Sequence, residues 1–284
     1  MRRYGILTLV LALPLLIAVM GCEEDEDAVY DPAPQPPQGV YSVTGDDSVF
    51  VFWNSPYERD VVEFIVWRSY EEWDNYVEIA RVEAIDNPDL DLIYYEPGYI
   101  DDSVANGQTY YYAVSSVDVA GQISGLSAES VFDTPRPDGL VTLYDSAVAP
   151  GASGFDFSAR TVSAASSAAT DILVDRDNGG VFYINRTKSE VLMQPMGYTY
   201  SFDDIGWAPQ SGWIANYWTE LVEGFTYVIA VKDTHGDWNY AKMRVLALDS
   251  NNGSVQFQWA YQESANNPEL VPPAPGDQVR GALQ

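Results

Sequence analysis

Apolar and polar residues alternate along much of the chain, in short runs separated by turn-forming residues. Alternation with a period of two predicts β-strands that bury one face. In the first half of the chain we expect strands at residues 49–53, 62–68, 76–80, 99–102 and 107–114. The spacing of these runs is typical of a sandwich of two antiparallel sheets. The pattern therefore predicts an all-β fold for this part of the chain.

The second half shows the same kind of alternation. The clearest strand is Ser254–Gln262, where one face, expected to be buried, carries Val255, Phe257, Trp259 and Tyr261. The opposite face of that strand is expected to lie in water. Residues 225–231 and 240–246 flank a turn at 233–237, which predicts a hairpin. Residues 213–222 are a candidate for one short helix, so the second half is predicted to be all-β or β with at most a minor helix.

A set of residues in the first half has a recognisable spacing. It consists of Trp53, the run Gly107-x-Thr109-Tyr110-x-Tyr112, and residues 117–121 followed by Ser124 and Ser127. With these residues, positions 36–137 resemble an immunoglobulin-like fibronectin type III domain. The resemblance implies that Trp53 lies between the sheets and that the buried Tyr110 binds upstream backbone through its hydroxyl. Domains of this family most often act as spacers or protein-contact surfaces, and the fold alone does not decide between them.

A second set of segments lies within residues 138–267. These segments are residues 155–158, 170–174, 227–229 and, beyond Gly236, 240–243. Their order and spacing resemble the HmuY family of bacterial haem-binding lipoproteins, although Thr170 stands where the family usually has tryptophan. The resemblance implies a β-rich domain that carries haem at the cell surface and passes it to an outer-membrane receptor. In the founding members of the family two histidines hold the iron, and related members use methionines.

The residues that could hold haem are few. The sequence contains one histidine, so a monomer cannot hold haem iron between two histidines. The candidate haem ligands are Met193, Met196 and His235. His235 also fits an ordinary turn residue, and methionines commonly fill irregular gaps in a core. Haem is therefore one of several interpretations that the sequence leaves open.

Aromatic and acidic segments give further candidate sites. Trp207, Trp213 and Trp218 could contact a planar ligand or a sugar face, or could pack as a loop over the sheet. Residues 86–91 and 175–180 offer the hard oxygen ligands that calcium prefers. Their Asn-Pro-Asp and Asn-Gly sequences are also strong turn signals, which favours structural turns without a metal.

The N-terminus predicts an export signal and a lipid anchor. Arg2 and Arg3 precede an apolar run at residues 6–20 that is too short for a membrane-spanning helix, so residues 1–21 are interpreted as a signal peptide. The sequence Val-Met-Gly-Cys that ends at Cys22 resembles the bacterial lipobox. This resemblance implies that Cys22 is lipidated and attaches the protein to a membrane.

The segment after the lipid anchor predicts how the protein is displayed. Residues 22–35 contain five consecutive carboxylates and then a proline-rich stretch, which is typical of a solvated, extended tether. Acidic residues directly after a lipidated cysteine resemble a signal for display on the outer surface of the outer membrane. The proline-containing residues 268–284 are expected to form a disordered tail.

Composition excludes several classes of function. The sequence has 42 acidic and 14 basic residues and a formal net charge of −28. A surface of this charge repels phosphate backbones, so nucleic acid is not an expected partner. With Cys22 lipidated and one histidine in the chain, no thiol nucleophile and no pair of imidazoles for zinc is available. The protein is therefore expected to be non-catalytic.

Three functional hypotheses follow. The first is a lipid-anchored binding protein of the cell envelope, with the fibronectin-like domain as spacer or protein-contact surface and the HmuY-like domain as ligand binder. Its partner is expected to be an outer-membrane receptor or an extracellular protein. The second is a haem carrier that delivers haem to an outer-membrane receptor. The third is a glycan-associated accessory protein or adhesin.

Overall fold

A computed structural model describes most of the chain after the N-terminal segment. The described residues are 31–85, 96–129 and 131–272. From Ala33 onward they form one compact unit, built from two consecutive β-sandwiches, which confirms the predicted all-β fold class. The features that lie outside these ranges are the signal peptide, Cys22, the acidic segment 86–91 and residues 273–284. Within the described ranges, no helix has the length and apolar character needed to cross a membrane.

The first sandwich has the strand order of a fibronectin type III domain. Its strands are β1 (Gln38–Gly45), β2 (Ser48–Asn54), β3 (Val61–Ser69), β4 (Val77–Glu83), β5 (Gly98–Asp101), β6 (Tyr110–Asp118) and β7 (Val131–Asp133). One antiparallel sheet has the order β1-β2-β5 and the other the order β4-β3-β6-β7. The strands predicted from alternation are therefore confirmed, with ends that differ by a few residues.

Two aromatic residues predicted to hold this sandwich together do so. Trp53 is fully buried between the sheets, and its ring centroid lies 5.5 Å from that of Phe64. Tyr110 is 4% exposed, and its hydroxyl accepts a hydrogen bond of 3.0 Å from the backbone N–H of Ala105. This arrangement is the tyrosine corner of the family. The fibronectin type III-like fold is thus confirmed residue by residue at its core.

The second sandwich follows directly. Its strands are β8 (Asp138–Tyr144), β9 (Gly154–Asp156), β10 (Thr161–Ser163), β11 (Ile172–Arg176), β12 (Phe182–Arg186), β13 (Val191–Tyr198), β14 (Trp218–Glu220), β15 (Phe225–Lys232), β16 (Trp238–Asp249) and β17 (Ser254–Gln262). The two antiparallel sheets have the orders β10-β9-β11-β12-β14 and β13-β15-β16-β17-β8. The predicted hairpin is confirmed as β15 and β16, and β17 has the predicted ends. Short 3-10 turns lie at Pro150–Ala152 and Phe202–Asp204.

Aromatic packing also organises the second core. The Phe155 ring lies 5.1 Å from that of Phe157 and 5.2 Å from that of Trp259, measured between centroids. The hydroxyl of Tyr227 accepts a hydrogen bond of 3.0 Å from the backbone N–H of Val222. Tyr227 thus binds backbone five residues upstream, as Tyr110 does in the first sandwich. Each sandwich therefore carries its own buried tyrosine that fixes the chain leading into a central strand.

The helix predicted at residues 213–222 is wrong. Trp218–Glu220 is instead the short strand β14, which pairs with the edge of β12. Aromatic and β-branched residues favour an extended chain where a strand edge can accept it. The Trp218 ring packs edge-on against Tyr183 of β12, with centroids 5.2 Å apart. A cross-strand aromatic pair thus outweighs a weak helical signal.

The water-facing side predicted for β17 needs a correction. Gln256 and Gln258 are partly accessible, but Ala260 and Gln262 are fully buried. The side-chain amide of Gln262 donates a hydrogen bond of 3.2 Å to the backbone carbonyl of Glu269. The end of β17 is therefore covered by the chain that follows it, which alternation within the strand cannot predict.

The segment before β8 is buried, and the chain after β17 returns to the core at Glu269 and Leu270. Residues 134–137, which join the two sandwiches, are shielded from water, and Arg136 is 5% exposed. Leu270 is fully buried, and its backbone N–H donates a hydrogen bond of 2.7 Å to the Gly206 carbonyl. A disordered tail beginning at residue 268 is therefore wrong for its first residues. Leu270 is held because it completes an apolar cluster on the outer face of the β13-β15-β16-β17-β8 sheet.

Candidate functional site

The three candidate haem ligands lie apart. Met193 is 1% exposed in the core between the two sheets, whereas Met196 packs against the apolar cluster on the outer face of the same sheet. The His235 side chain is 83% exposed at the turn between β15 and β16, with its Nδ1 atom 3.5 Å from the Asp233 carboxylate. Side chains on opposite faces of a sheet cannot converge on one iron. Met193 and Met196 therefore do not hold one iron between them.

The three candidate tryptophans do not form one surface. The Trp213 ring stacks on Tyr240 with centroids 6.5 Å apart and belongs to the outer apolar cluster, so it packs as part of a loop over the sheet. Trp207 is 51% exposed and Trp218 is 50% exposed, but Trp218 lies in the edge strand β14, whereas Trp207 lies outside the named strands in a bridge with Glu269. The exposed rings of Trp207 and Trp218 therefore belong to two separate surface sites.

Trp218 belongs to a small aromatic patch on the edge strand β14. Tyr183 packs edge-on against it, and the neighbouring Tyr217 is 56% exposed. The Arg186 guanidinium lies 4.3 Å from the centre of the Tyr217 ring. The patch therefore presents flat rings and one cation at an exposed sheet edge.

Trp207 lines a cleft formed by both sandwiches, with a volume of about 330 Å³. The cleft is lined by Glu72, Thr109, Tyr111, Phe132, Trp207, Ser264, Asn267 and Glu269. The first sandwich contributes the loop before β4 and residues at β6 and β7, and the second contributes the chain around Trp207 and after β17. We call this feature the junction cleft. It combines three aromatic rings with hydroxyl, amide and carboxylate groups.

Backbone pairing fixes the second sandwich's side of the junction cleft. Trp207 and Glu269 form an antiparallel bridge. On either side of it, Ala208 N–H donates to the Pro268 carbonyl at 2.8 Å, and Leu270 N–H donates to the Gly206 carbonyl at 2.7 Å. The chain that reaches the bridge turns at Asn266, where φ is +59°. Trp207 and Glu269 are therefore held side by side by ladder hydrogen bonds, although neither belongs to a long strand.

Glu269 is the residue of this site that the sequence did not reveal. Its side chain is 2% exposed, and its Oε2 atom accepts a hydrogen bond of 3.0 Å from the Thr134 hydroxyl. Thr134 is in turn 2.9 Å from the Thr109 hydroxyl. The Oε1 atom of Glu269 is buried without a hydrogen-bond partner. The available signal was the turn-forming Asn-Asn-Pro sequence directly before Glu269 and the apolar pair Leu270-Val271 directly after it, which indicates a chain that returns to the core.

Burial raises the pKa of two carboxylates behind the cleft. Loss of hydration raises the pKa of Glu269 to about 7, and repulsion from Asp133 adds to this. Loss of hydration also raises the pKa of Asp133 to about 6, although a hydrogen bond from Thr44 and attraction to Arg136 both lower it. Arg136 is buried beside both carboxylates, and burial lowers its own pKa. Glu269 can therefore gain or release a proton near neutral pH.

A buried lysine lies in the same acidic surroundings. Lys242 is fully buried, and its ammonium group donates hydrogen bonds to the Phe202 carbonyl at 2.8 Å and the Asp203 carboxylate at 3.2 Å. Burial lowers the pKa of Lys242 to about 7, and repulsion from Arg136 acts in the same direction. The junction is thus built around ionisable groups whose charges are costly to hold away from water.

The acidic segment 175–180 is a turn between β11 and β12. One carboxylate oxygen of Asp177 accepts hydrogen bonds from the N–H groups of Gly179 and Val181, both at 2.9 Å. These bonds use the oxygen that a calcium ion would need. Among the residues that the structure describes, no three histidine, cysteine, aspartate or glutamate side chains are grouped to hold a metal ion.

No family model and no curated protein matches the chain. Among solved structures, a Fn3-like protein from Clostridium thermocellum is 26% identical over 37% of this chain and 98% of that chain, with a TM-score of 0.29. A β-1,2-glucanase from Parabacteroides distasonis is 23% identical over 36% of this chain and 13% of its own length, with a TM-score of 0.29. The FN1–FN3 domains of chicken CNTN1 are 15% identical over 70% of this chain and 62% of that chain, with a TM-score of 0.29. The strand order and the tyrosine corner of the chain itself define its first sandwich as fibronectin type III-like.

Proposed function

We propose that the chain is a non-catalytic, lipid-anchored binding protein of the bacterial cell envelope, displayed at the outer membrane. Cys22 carries the lipid in this proposal. The fibronectin-like sandwich acts as spacer or protein-contact surface, and the second sandwich, with its resemblance to the HmuY family, contributes the binding module. The partner is an outer-membrane receptor or an extracellular protein.

The junction between the sandwiches is the observation that supports this function best. Arg136 and Thr134 are buried between the two sandwiches, and Thr134 binds Glu269 of the second one. An exposed, flexible linker would let a terminal domain reorient freely, whereas a buried junction holds it at one angle. A spacer of this kind can present the junction cleft at a fixed distance from the membrane.

Lipid labelling tests the anchor. Cells that express the parent chain should incorporate radiolabelled palmitate into it, and the labelled protein should fractionate with the outer membrane. A Cys22→Ala variant should lose the label and leave the membrane fraction. Protease treatment of intact cells then tests display, since a surface protein is cleaved without lysis. Equal labelling of parent and variant would contradict the proposal.

The exposed patch at Trp218 favours a glycan as a second candidate partner. Aromatic faces beside a charged side chain are common where proteins hold sugar rings, because the rings supply apolar area and the polar groups fix orientation. Pull-down with insoluble polysaccharides should retain the parent, and Trp218→Ala should abolish retention. Trp207→Ala serves as the control, because Trp207 is equally exposed but lies in the junction cleft. Equal retention of Trp218→Ala and the parent would refute this candidate.

A further inference from the structure

The junction cleft has the chemistry of a site for an organic cation. Three aromatic rings line it, those of Tyr111, Phe132 and Trp207, together with the carboxylates of Glu72 and Glu269. All eight residues that line the cleft are described by the structure, and none of them is basic. The face of an aromatic ring is electron-rich and attracts a cation that sits within about 6 Å of its centre. The aromatic rings and the carboxylates therefore both favour a cation as the ligand.

The aromatic rings that line the cleft come from both sandwiches. The Tyr111 and Phe132 rings come from neighbouring strands, and their centroids are 6.2 Å apart with the planes tilted by 45°. Trp207 from the second sandwich is 51% exposed. An indole gives the strongest attraction to a cation among the aromatic side chains. A ligand in the cleft would thus meet ring faces from both sandwiches.

The carboxylates lie close enough to these rings to act on the same ligand. The pKa of the Tyr111 hydroxyl is raised by burial and then by the negative charges of Glu72 and Glu269. Glu269 is 2% exposed, and its Oε1 atom has no hydrogen-bond partner. A buried carboxylate oxygen without a partner is costly, and a cation nearby offsets that cost.

We propose that the junction cleft binds an alkylammonium group, supplied either by a free amine or by a lysine side chain of a partner. The inference rests on the proposed binding function and names the chemical class of its ligand. A sugar hydroxyl can donate to the Glu269 oxygen as an ammonium group does, but only a cation also gains from the ring faces and from the charge of both carboxylates. An anion would be repelled by a chain of net charge −28. A metal ion would need a group of three ligating side chains, which the described residues do not provide.

Amine titration of the full chain in detergent tests the inference. The probes are n-butylammonium, tetramethylammonium and a short lysine-containing peptide, with 1-butanol as the neutral analogue. Binding is followed by calorimetry and by tryptophan fluorescence at low salt. The ammonium probes should bind saturably and 1-butanol should not. A peptide that binds more tightly than n-butylammonium indicates a partner's side chain as the source, and the reverse order indicates a free amine.

Two variants and two matched controls locate the site. Glu269→Gln and Trp207→Leu should each weaken n-butylammonium binding about tenfold, which corresponds to about 1.4 kcal/mol. Glu58→Gln makes the same charge change in a different cleft of the first sandwich, and Trp218→Leu removes an equally exposed tryptophan elsewhere. Both controls should bind as the parent does. Trp207 is half exposed, so Trp207→Leu is expected to fold. It therefore still tests the site if Glu269→Gln perturbs folding.

Binding should also depend on pH. Glu269 faces Asp133, Arg136 and Glu72, and in these surroundings its pKa is about 7. An ammonium group favours the ionised carboxylate, so affinity should fall roughly tenfold between pH 8 and pH 6. Saturable binding to none of the ammonium probes, or unchanged binding by both Glu269→Gln and Trp207→Leu, overturns the inference. Neither result bears on lipidation or surface display, which palmitate labelling and protease treatment measure separately.

Discussion

Replacing Glu269 by glutamine is expected to remove much of the pH dependence of stability near neutral pH. The side chain is 2% exposed, and burial raises its pKa from 4.5 to about 7. Glutamine has nearly the same shape and keeps an oxygen that can accept the hydrogen bond from Thr134, but it does not ionise. The substitution therefore isolates the free energy of placing a charge at the junction.

The sign and size of the effect follow from the two pKa values. The folded protein binds the Glu269 proton more tightly than the unfolded chain does, because the pKa is higher in the fold. The resulting stabilisation is fully present below about pH 4.5 and is lost as the pH rises through about 7. A difference of about 2.5 in pKa, at about 1.36 kcal/mol for each pKa unit, gives a loss of about 3 kcal/mol. Ionisation of Asp133 also lowers the free energy of unfolding as the pH rises, since its pKa is raised from 3.8 to about 6.

Urea unfolding followed by tryptophan fluorescence measures this effect. The free energy of unfolding of the parent should fall between about pH 4 and pH 8, and that of Glu269→Gln should fall by about 3 kcal/mol less. Glu223→Gln makes the same charge change at an exposed position and should follow the parent. The same pH dependence in Glu269→Gln and the parent would refute the reasoning.

Two further predictions concern buried polar groups. Tyr110→Phe and Tyr227→Phe should each lower the free energy of unfolding of their own sandwich by about 1–3 kcal/mol, because a backbone N–H five residues upstream loses its acceptor. Thermal unfolding checks this, and unchanged midpoints would contradict it. Lys242→Met should gain stability relative to the parent as the pH falls from about 10 to 6. Burial lowers the Lys242 pKa to about 7, so stabilisation by the neutral amine is lost as the pH falls through that value. Urea titrations measure the difference, with the exposed Lys232→Met as control, and a constant difference between Lys242→Met and the parent would count against it.

The strands and the two cores could be predicted because their signals are local. Alternation over a few residues predicts the buried face of a strand, as it did for Val255 and Phe257 in β17. Tyr110 could be assigned for a similar reason, since a tyrosine corner joins a ring to backbone only five residues away. Trp53 needed the spacing of several strands, which a resemblance to a known domain supplies. Short-range patterns and a familiar spacing were sufficient for the fold class.

The junction cleft could not be predicted because it depends on contacts between segments that are distant in sequence. Thr134 and Glu269 are 135 residues apart, and their hydrogen bond joins the two sandwiches. Trp207 was singled out as a candidate ligand contact, but no local pattern places it beside Glu269. Met193 and Met196 show the converse, because they are close in sequence and yet the sheet separates their side chains. Spatial convergence, more than residue type, decides where a site forms.

The buried charged groups at the junction are better suited to orienting the two sandwiches than to stabilising the fold of either one. Each sandwich has its own apolar core and its own tyrosine corner, so neither needs the junction to bury its central strands. A buried group of Asp133, Arg136 and Glu269 adds little net stability, because desolvation offsets most of the attraction between the charges. Such groups do penalise alternative packings that leave a buried charge unpaired. On the proposed chemistry, an ammonium group in the cleft would favour ionised Glu269, so the charge of the junction and the occupancy of the cleft would depend on the same proton.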